Sequence, residues 1–378
     1  MDPLRPALSG LKRLAIKIGS STLIDPQSGS IRAEWFAAFA ADIARLRARG
    51  QEVLIISSGA IALGRGRLRF SPGPLPLEQS QAAAAVGQIE LARAWSQALA
   101  GHGHVVAQVL LTYDDTEERR RYLNARATLN TLLAQGAIPV INENDTVATA
   151  EIRYGDNDRL AARVAAMMAC DGLVLLSDID GLYTADPRKS PDATLIETVP
   201  VLTPDILSMG GGVGSAFGSG GMATKLMAAK LCMEAGCHMA IARGTPSSPL
   251  SILEGGGPQT WFLASATPQA ARKRWIAGAL KPQGQLTIDE GAVRALGQGK
   301  SLLPAGVVAV DGTFERGDCV AVCDLAGHEI ARGLIAYDAG DAHSILGRRS
   351  AEIEILLGFK GRDEIIHRDD LVLMGVRA

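Results

Sequence analysis

Leu14-Ala15-Ile16-Lys17-Ile18-Gly19-Ser20-Ser21 is an apolar run that takes in one lysine near its end and gives way to small residues. Val53 to Ser57, Val105 to Leu111, Ile138 to Asn142, Leu173 to Leu176 and Met239 to Ala242 are mostly near-continuous apolar runs of the same kind. Strands of a parallel sheet read this way, because helices cover both faces. Between them lie Ala-rich stretches of helical length: Ala33 to Arg49, Gln79 to Ala100, Tyr122 to Gln135, Asp158 to Met168 and Ala223 to Ala235. Gly50, Gly136 and Gly236 stand where three of these helices would stop. The alternation from Leu11 to about Ala264 predicts an α/β fold, an open, mainly parallel sheet flanked by helices.

After Ala264 the rhythm breaks. Gln285 to Asp289, Val307 to Asp311 and Cys319 to Cys323 are short alternating runs, and Asp311-Gly312 and Arg316-Gly317-Asp318 read as turns between strands. The expected organisation is an α/β domain over residues 1–267, a linker over 268–282, and a small, mainly β domain with a C-terminal tail over 283–378.

Composition narrows the class without naming a partner. With 378 residues, 47% apolar and 21% charged, the chain can bury a sizeable core, which excludes a disordered or fibrous protein. A net charge of −2 gives no global pull toward nucleic acid or an anionic membrane. Five cysteines, an odd number, predict free buried thiols in a reducing compartment, and their spacing matches no zinc pattern, so no protein-held metal is expected. No 18-residue apolar run occurs, so the protein reads as cytoplasmic with no membrane contact.

Five segments carry residues that packing alone does not explain. In Lys17-Ile18-Gly19-Ser20-Ser21 an ammonium at a strand end, followed by small residues, suits a phosphate oxygen, although a lysine snorkelling from the strand end reads the same. Ser57-Ser58-Gly59-Ala60 also follows a strand, on the edge where open α/β sheets bind ligands. Asn142-Glu143-Asn144-Asp145 and Gly155-Asp156-Asn157-Asp158 gather more carboxylates and carboxamides than turns and helix caps require, and read as a polar substrate site. Ser177-Asp178-Ile179-Asp180 follows another strand. The glycine-dense run Gly210 to Gly221, with Met222-Ala223-Thr224-Lys225 after it, lets backbone amides approach a polyphosphate at the start of a helix. It is not a P-loop, because that motif needs the lysine straight after a glycine and here Thr224 precedes Lys225. Two lysines, a glycine loop and an acid/amide cluster point to phosphoryl transfer, which depends on positioning and on cations that neutralise the moving group. None of the six histidines lies in these loops, which argues against a hydrolytic triad.

The order and wording of these segments closely resemble the amino acid kinase family, and Val140 through Asp158 resembles its glutamate-phosphorylating branch. Gly299 to Gly317 and the flanking strands resemble the PUA domain appended to many bacterial members. The resemblance implies ATP-dependent transfer of the γ-phosphoryl group to the side-chain carboxylate of L-glutamate, giving L-glutamyl 5-phosphate, the first step of proline biosynthesis. Mg2+ would accompany ATP. Carried over to this chain, Lys17 and Lys225 would contact the phosphates, and Asp158 would orient both lysines. Ser58, Asp145 and Asn157 would hold glutamate, with Asp145 facing its α-ammonium. Ser177, Asp178, Ser219, Gly220, Gly221, Met222, Ala223 and Thr224 would line the nucleotide pocket beside the lysines. Ser20 and Ser177 stand where threonine is frequent and Ala223 where serine is frequent; only the last loses a hydroxyl. Feedback inhibition by proline, a homo-oligomer (tetramer or dimer) and hand-over to a glutamyl phosphate reductase are also implied.

Two alternatives follow from the same features. Another acceptor of the family, such as aspartate, N-acetylglutamate, UMP or carbamate, would use the same phosphate machinery. An RNA-binding role through the C-terminal domain needs a basic face, but 14 Lys and Arg stand against 15 Asp and Glu from Pro268 onward. Nucleic acid is therefore not the expected partner.

Overall fold

A computed structural model describes residues 5–147, 157–210, 221–279 and 281–374. The chain divides into two compact units, Met1–Pro268 and Gln269–Ala378.

The first unit is built on strands β1 (Arg13–Ile18), β2 (Glu52–Ser57), β3 (Val106–Leu111), β4 (Ile138–Glu143) and β5 (Gly172–Ser177). A small hairpin of β6 (Leu182–Tyr183) and β7 (Leu195–Ile196) follows, then β8 (Thr198–Val199), β9 (His238–Arg243) and β10 (Gln259–Phe262). The large sheet has the order β3-β4-β2-β1-β5-β9-β10-β8. All of its pairings are parallel except β9 with β10. The α/β expectation holds, and the antiparallel β10 is an addition that the short segment Gln259–Phe262 did not announce.

Helices α1 (Ser20–Leu23), α2 (Ala33–Ala48), α3 (Ala60–Arg67), α4 (Leu77–Ala100), α5 (Asp114–Glu117), α6 (Arg119–Ala134), α7 (Asn157–Met167), α8 (Pro204–Ser208), α9 (Met222–Glu234) and α10 (Pro249–Glu254) complete the unit. Gly50, Gly136 and Gly236 adopt φ of +80°, +77° and +77° just past α2, α6 and α9, the left-handed turn that ends a helix. Alternation along β1 sends Leu14, Ile16 and Ile18 into one core with Trp35, Phe39 and Trp95, and Ala15 into a second core with Ala161, Ala165 and Ala229. Lys17, two residues beyond Ala15, falls on this second face. Ala-rich α7 lies flat there because Ala161, Ala162 and Ala165 are fully buried and hold no side chain long enough to keep the helix off the sheet.

Register levels the carboxyl ends of the central strands. Ile18 stands opposite Ser57 on one side and Leu176 on the other. The chain passes from β1 to β2 on one flank and later fills β5 on the other, so strand order reverses at β1. A ligand crevice opens at such a reversal. Alongside, α3 and α4 meet backbone to backbone: a Cβ on Gly64 would lie 1.8 Å from the Ala83 carbonyl oxygen, and one on Gly87 would lie 1.9 Å from that of Ala60. No larger residue fits at this crossing.

The second unit contains all but the first residue of helix α11 (Pro268–Ala279), strands β11 (Gly284–Ile288), β12 (Val307–Gly312), β13 (Cys319–Cys323), β14 (Glu329–Leu334) and β15 (Leu371–Leu373), and helices α12 (Glu290–Gly297), α13 (Ala339–Ile345) and α14 (Ile353–Leu357). The sheet order is β12-β11-β13-β14-β15, antiparallel except for β11 with β13. Two expectations are corrected. Residues 268–282, read as a linker, carry α11, since Pro268 suits a first helical position and Ala and Arg continue it. Asp311-Gly312, read as a hairpin turn, ends β12 opposite Gln285 and Gly284, and a Cβ on Gly312 would lie 2.8 Å from the Gly284 Cα, so the glycine serves a close approach.

The five cysteines are free and buried. No helix among the described residues is long and apolar enough to cross a membrane.

Candidate active site

Lys17 reaches the reversal point from β1, and Asp158 enters from the first turn of α7. The Lys17 ammonium lies 2.7 Å from Asp158 Oδ1, and the Lys225 ammonium, from the first turn of α9, lies 3.0 Å from Oδ2. The three side chains are 8%, 1% and 4% exposed for Lys17, Asp158 and Lys225, so the charges meet out of water. Burial by itself would raise the Asp158 carboxyl; the adjoining Lys17 and Lys225 ammonium groups outweigh it and hold the group below the usual carboxylate range. One carboxylate between two ammonium groups leaves a surplus positive charge at the strand ends, suited to a polyanion.

Thr224 Oγ1 sits 3.2 Å from Asp158 Oδ2 and 2.8 Å from the Gly221 carbonyl oxygen, so its hydroxyl joins the same cluster. Gly221 precedes α9 and brings no side chain to cap it. Met222 and Ala223 occupy the first turn of α9. Ser219 and Gly220, with Gly155 and Asp156, lie outside the described residues. At the end of β5, Ser177 Oγ donates to Asp178 Oδ1 over 3.0 Å. Ser177 is buried and Asp178 exposed.

The carboxamides form a second group beside the charged one. Asn157 Nδ2 donates to Ser58 Oγ at 2.7 Å and to Asn142 Oδ1 at 3.1 Å, with the Ser57 carbonyl a longer third contact at 3.4 Å. Asn142 Nδ2 donates in turn to Gln88 Oε1 on α4 at 2.8 Å. Beneath Ser58, Trp95 Nε1 donates to Ser57 Oγ at 2.9 Å, which fixes the end of β2. Asn157 is 5% exposed, and its Oδ1 has no hydrogen-bond partner among the described residues. Asp145, just beyond β4, is half-buried, and loss of water pushes its carboxyl up to about 6. No described cation pairs with it. A buried acceptor and a desolvated carboxylate both favour a cationic hydrogen-bond donor.

Thus Lys17, Lys225 and Asp158 are in direct contact, and so are Ser58 and Asn157. Sequence reasoning missed Gln88 entirely, and it noticed Asn142 only as one member of a polar run. Asn142 carried a signal, a carboxamide near the end of a buried strand. Gln88 carried none beyond being polar in an Ala-rich helix. Among the described residues, no three Asp, Glu, His or Cys side chains converge as a metal cage.

The sequence model of the amino acid kinase family matches residues 12–243. The chain belongs to the amino acid kinase family. The site described above falls within the matched amino acid kinase region, and the PUA domain model matches residues 284–357 of the second unit. The chain is 63% identical to the glutamate 5-kinase of Paramagnetospirillum magneticum, over 99% of this chain and 100% of that protein. It is 61% identical to the glutamate 5-kinase of a Bradyrhizobium species, over 97% of each. Among solved structures, the UMP kinase of Bacillus anthracis aligns with 68% of this chain and 98% of its own, at 17% identity and a TM-score of 0.48.

Proposed function

We propose that this member of the amino acid kinase family transfers the γ-phosphoryl group of ATP to the side-chain carboxylate of L-glutamate, giving L-glutamyl 5-phosphate, as in the first step of proline biosynthesis. The observation that carries the reading is the buried Asp158 carboxylate between Lys17 and Lys225, beside a carboxamide group at the same strand ends. The high identity to proteins named glutamate 5-kinase supports the choice of acceptor.

Lys17 and Lys225 neutralise charge on the phosphoryl group as the bond to ADP breaks and the bond to the carboxylate oxygen forms. Such electrostatic positioning contributes more than any proton movement in this chemistry. The acceptor is ionised at neutral pH, so it needs no general base. Asp158 holds both ammonium groups at fixed places through the transfer. Ser58 and Asn157 orient glutamate, and Asp145 takes its α-ammonium. Ser177, Asp178 and the segment from Ser219 to Thr224 line the nucleotide side. Mg2+ would accompany ATP and supply further positive charge on the nucleotide side of the site. Proline as feedback inhibitor, a homo-oligomer, a glutamyl phosphate reductase as the next enzyme and a cytoplasmic location belong to the same reading.

The test is ADP release from Mg·ATP with L-glutamate, aspartate, N-acetylglutamate and UMP in parallel, with hydroxylamine present to trap an acyl phosphate as the hydroxamate. Glutamate alone should give both signals. Hydroxamate from another acceptor would overturn the assignment of Asp145 and Asn157, and silence on all four would overturn the reaction.

A further inference from the structure

Asn157 has two amide hydrogens, and its two shortest contacts, to Ser58 Oγ and Asn142 Oδ1, use both. Asn142 Oδ1 is available to receive one only because its own Nδ2 is turned the other way, toward Gln88 Oε1. Turning the Asn142 carboxamide over would set nitrogen against nitrogen at Asn157 and oxygen against oxygen at Gln88. The orientations are therefore coupled from α4 through β4 to α7, along residues that are 9%, 2% and 5% exposed for Gln88, Asn142 and Asn157. At the end of this relay stands the buried Asn157 Oδ1, without a partner among the described residues. An unpaired buried acceptor is costly, so the site favours a ligand that brings an N–H.

We propose that Gln88 is a positioning residue: acting through Asn142, it holds the Asn157 carboxamide with its oxygen free, so that the site reads the α-ammonium donor of the acceptor substrate. The inference rests on the glutamate reading above. Gln88 touches neither substrate nor nucleotide in this scheme, and its effect is confined to acceptor binding.

The experiment compares wild type, Gln88→Met and Gln88→Glu by ADP release and hydroxamate formation, with kcat and KM measured separately for glutamate and ATP and with Tm recorded. Methionine keeps the length and removes the acceptor, whereas glutamate keeps an oxygen where Asn142 donates. The relay predicts that Gln88→Met raises the glutamate KM about tenfold, the scale of one buried hydrogen bond, with the ATP KM unchanged. Gln88→Glu should return the glutamate KM to within about threefold of wild type. A merely structural glutamine would give the opposite order, since a carboxylate is harder to bury than a thioether. Gln88→Leu replaces the methionine variant should that fail to fold. A wild-type glutamate KM in Gln88→Met, or Gln88→Glu worse than Gln88→Met, would overturn the relay alone. Wild type inactive on glutamate would overturn the functional reading and the relay with it.

Discussion

Asp158→Asn removes one charge and leaves the side-chain shape nearly unchanged, so it isolates what the carboxylate does for its two lysines. At separations of 2.7 and 3.0 Å, an effective dielectric constant of about 20 gives roughly 5–6 kcal/mol of attraction per pair before desolvation is subtracted. Desolvation removes most of that in the intact cluster. Breaking a buried pair is different, because the surviving charges stay out of water, and the usual cost is about 3–5 kcal/mol. For the unit Met1–Pro268, an unfolding entropy of about 2.1 cal/mol/K per residue sums to about 0.56 kcal/mol/K, so Tm should fall by about 5–9 °C. Lysines no longer held in place should also lower kcat by about 10²–10³-fold. Saturating ATP should raise Tm more in the variant than in wild type, since phosphates restore the missing negative charge. Thermal unfolding with and without nucleotide, together with steady-state kinetics, reads all three effects. A variant with wild-type Tm and kcat would refute the clamp and show that the lysines are held by other contacts.

Lys225→Ala should lower kcat far more than it raises the glutamate KM, because its charge acts on the moving group; a pure KM effect in steady-state kinetics would exclude that role. If Asp145 takes the ammonium as proposed, it should set the pH dependence: only its ionised form pairs with an ammonium, and burial pushes its carboxyl up to about 6. Measured kcat/KM for glutamate should be level above about pH 7 and fall toward tenfold per pH unit below 6, an effect lost in Asp145→Asn. The same raised value means that the folded chain binds this proton more readily than the unfolded chain. Its contribution to stability therefore grows as pH falls from 6 toward 4 and is absent above 6. Gly64→Ala places a methyl group 1.8 Å from the Ala83 carbonyl oxygen, so α3 and α4 must part, at a cost of at least about 1–3 kcal/mol. Thermal unfolding should show the loss, and the glutamate KM should rise because α3 follows Ser58 and α4 carries Gln88.

What the sequence disclosed depended on whether a residue contradicted its surroundings. Lys17 stood out because an ammonium near the end of an apolar strand has no packing reason to be there, and Lys225 because it follows a glycine-dense run. Asn142, Asp145, Asn157 and Asp158 stood out by density. Five of the six main strand candidates were legible for a related reason, since strands buried on both faces leave near-continuous apolar runs, whereas the edge strand β3, with Gln108 exposed, was legible only by its apolar and β-branched residues. Residues 268–282 misled because Pro and a change of composition mark a boundary whether or not a helix begins there. Asp311-Gly312 misled because the same glycine that permits a turn also permits two strands to meet closely. Gln88 agreed with everything near it in the chain: a glutamine in an Ala-rich helix is what a solvated face would show. Its partner lies 54 residues away on another element, and only the folded packing of α4 brings the two together. The charges assigned here to the phosphates under the proposed function are therefore readable locally, because each is anomalous where it stands. The proposed selection of the acceptor is not, because on this reading it would reside in the mutual orientation of carboxamides from α4, β4 and α7, each ordinary alone and informative only once the sheet has brought them together.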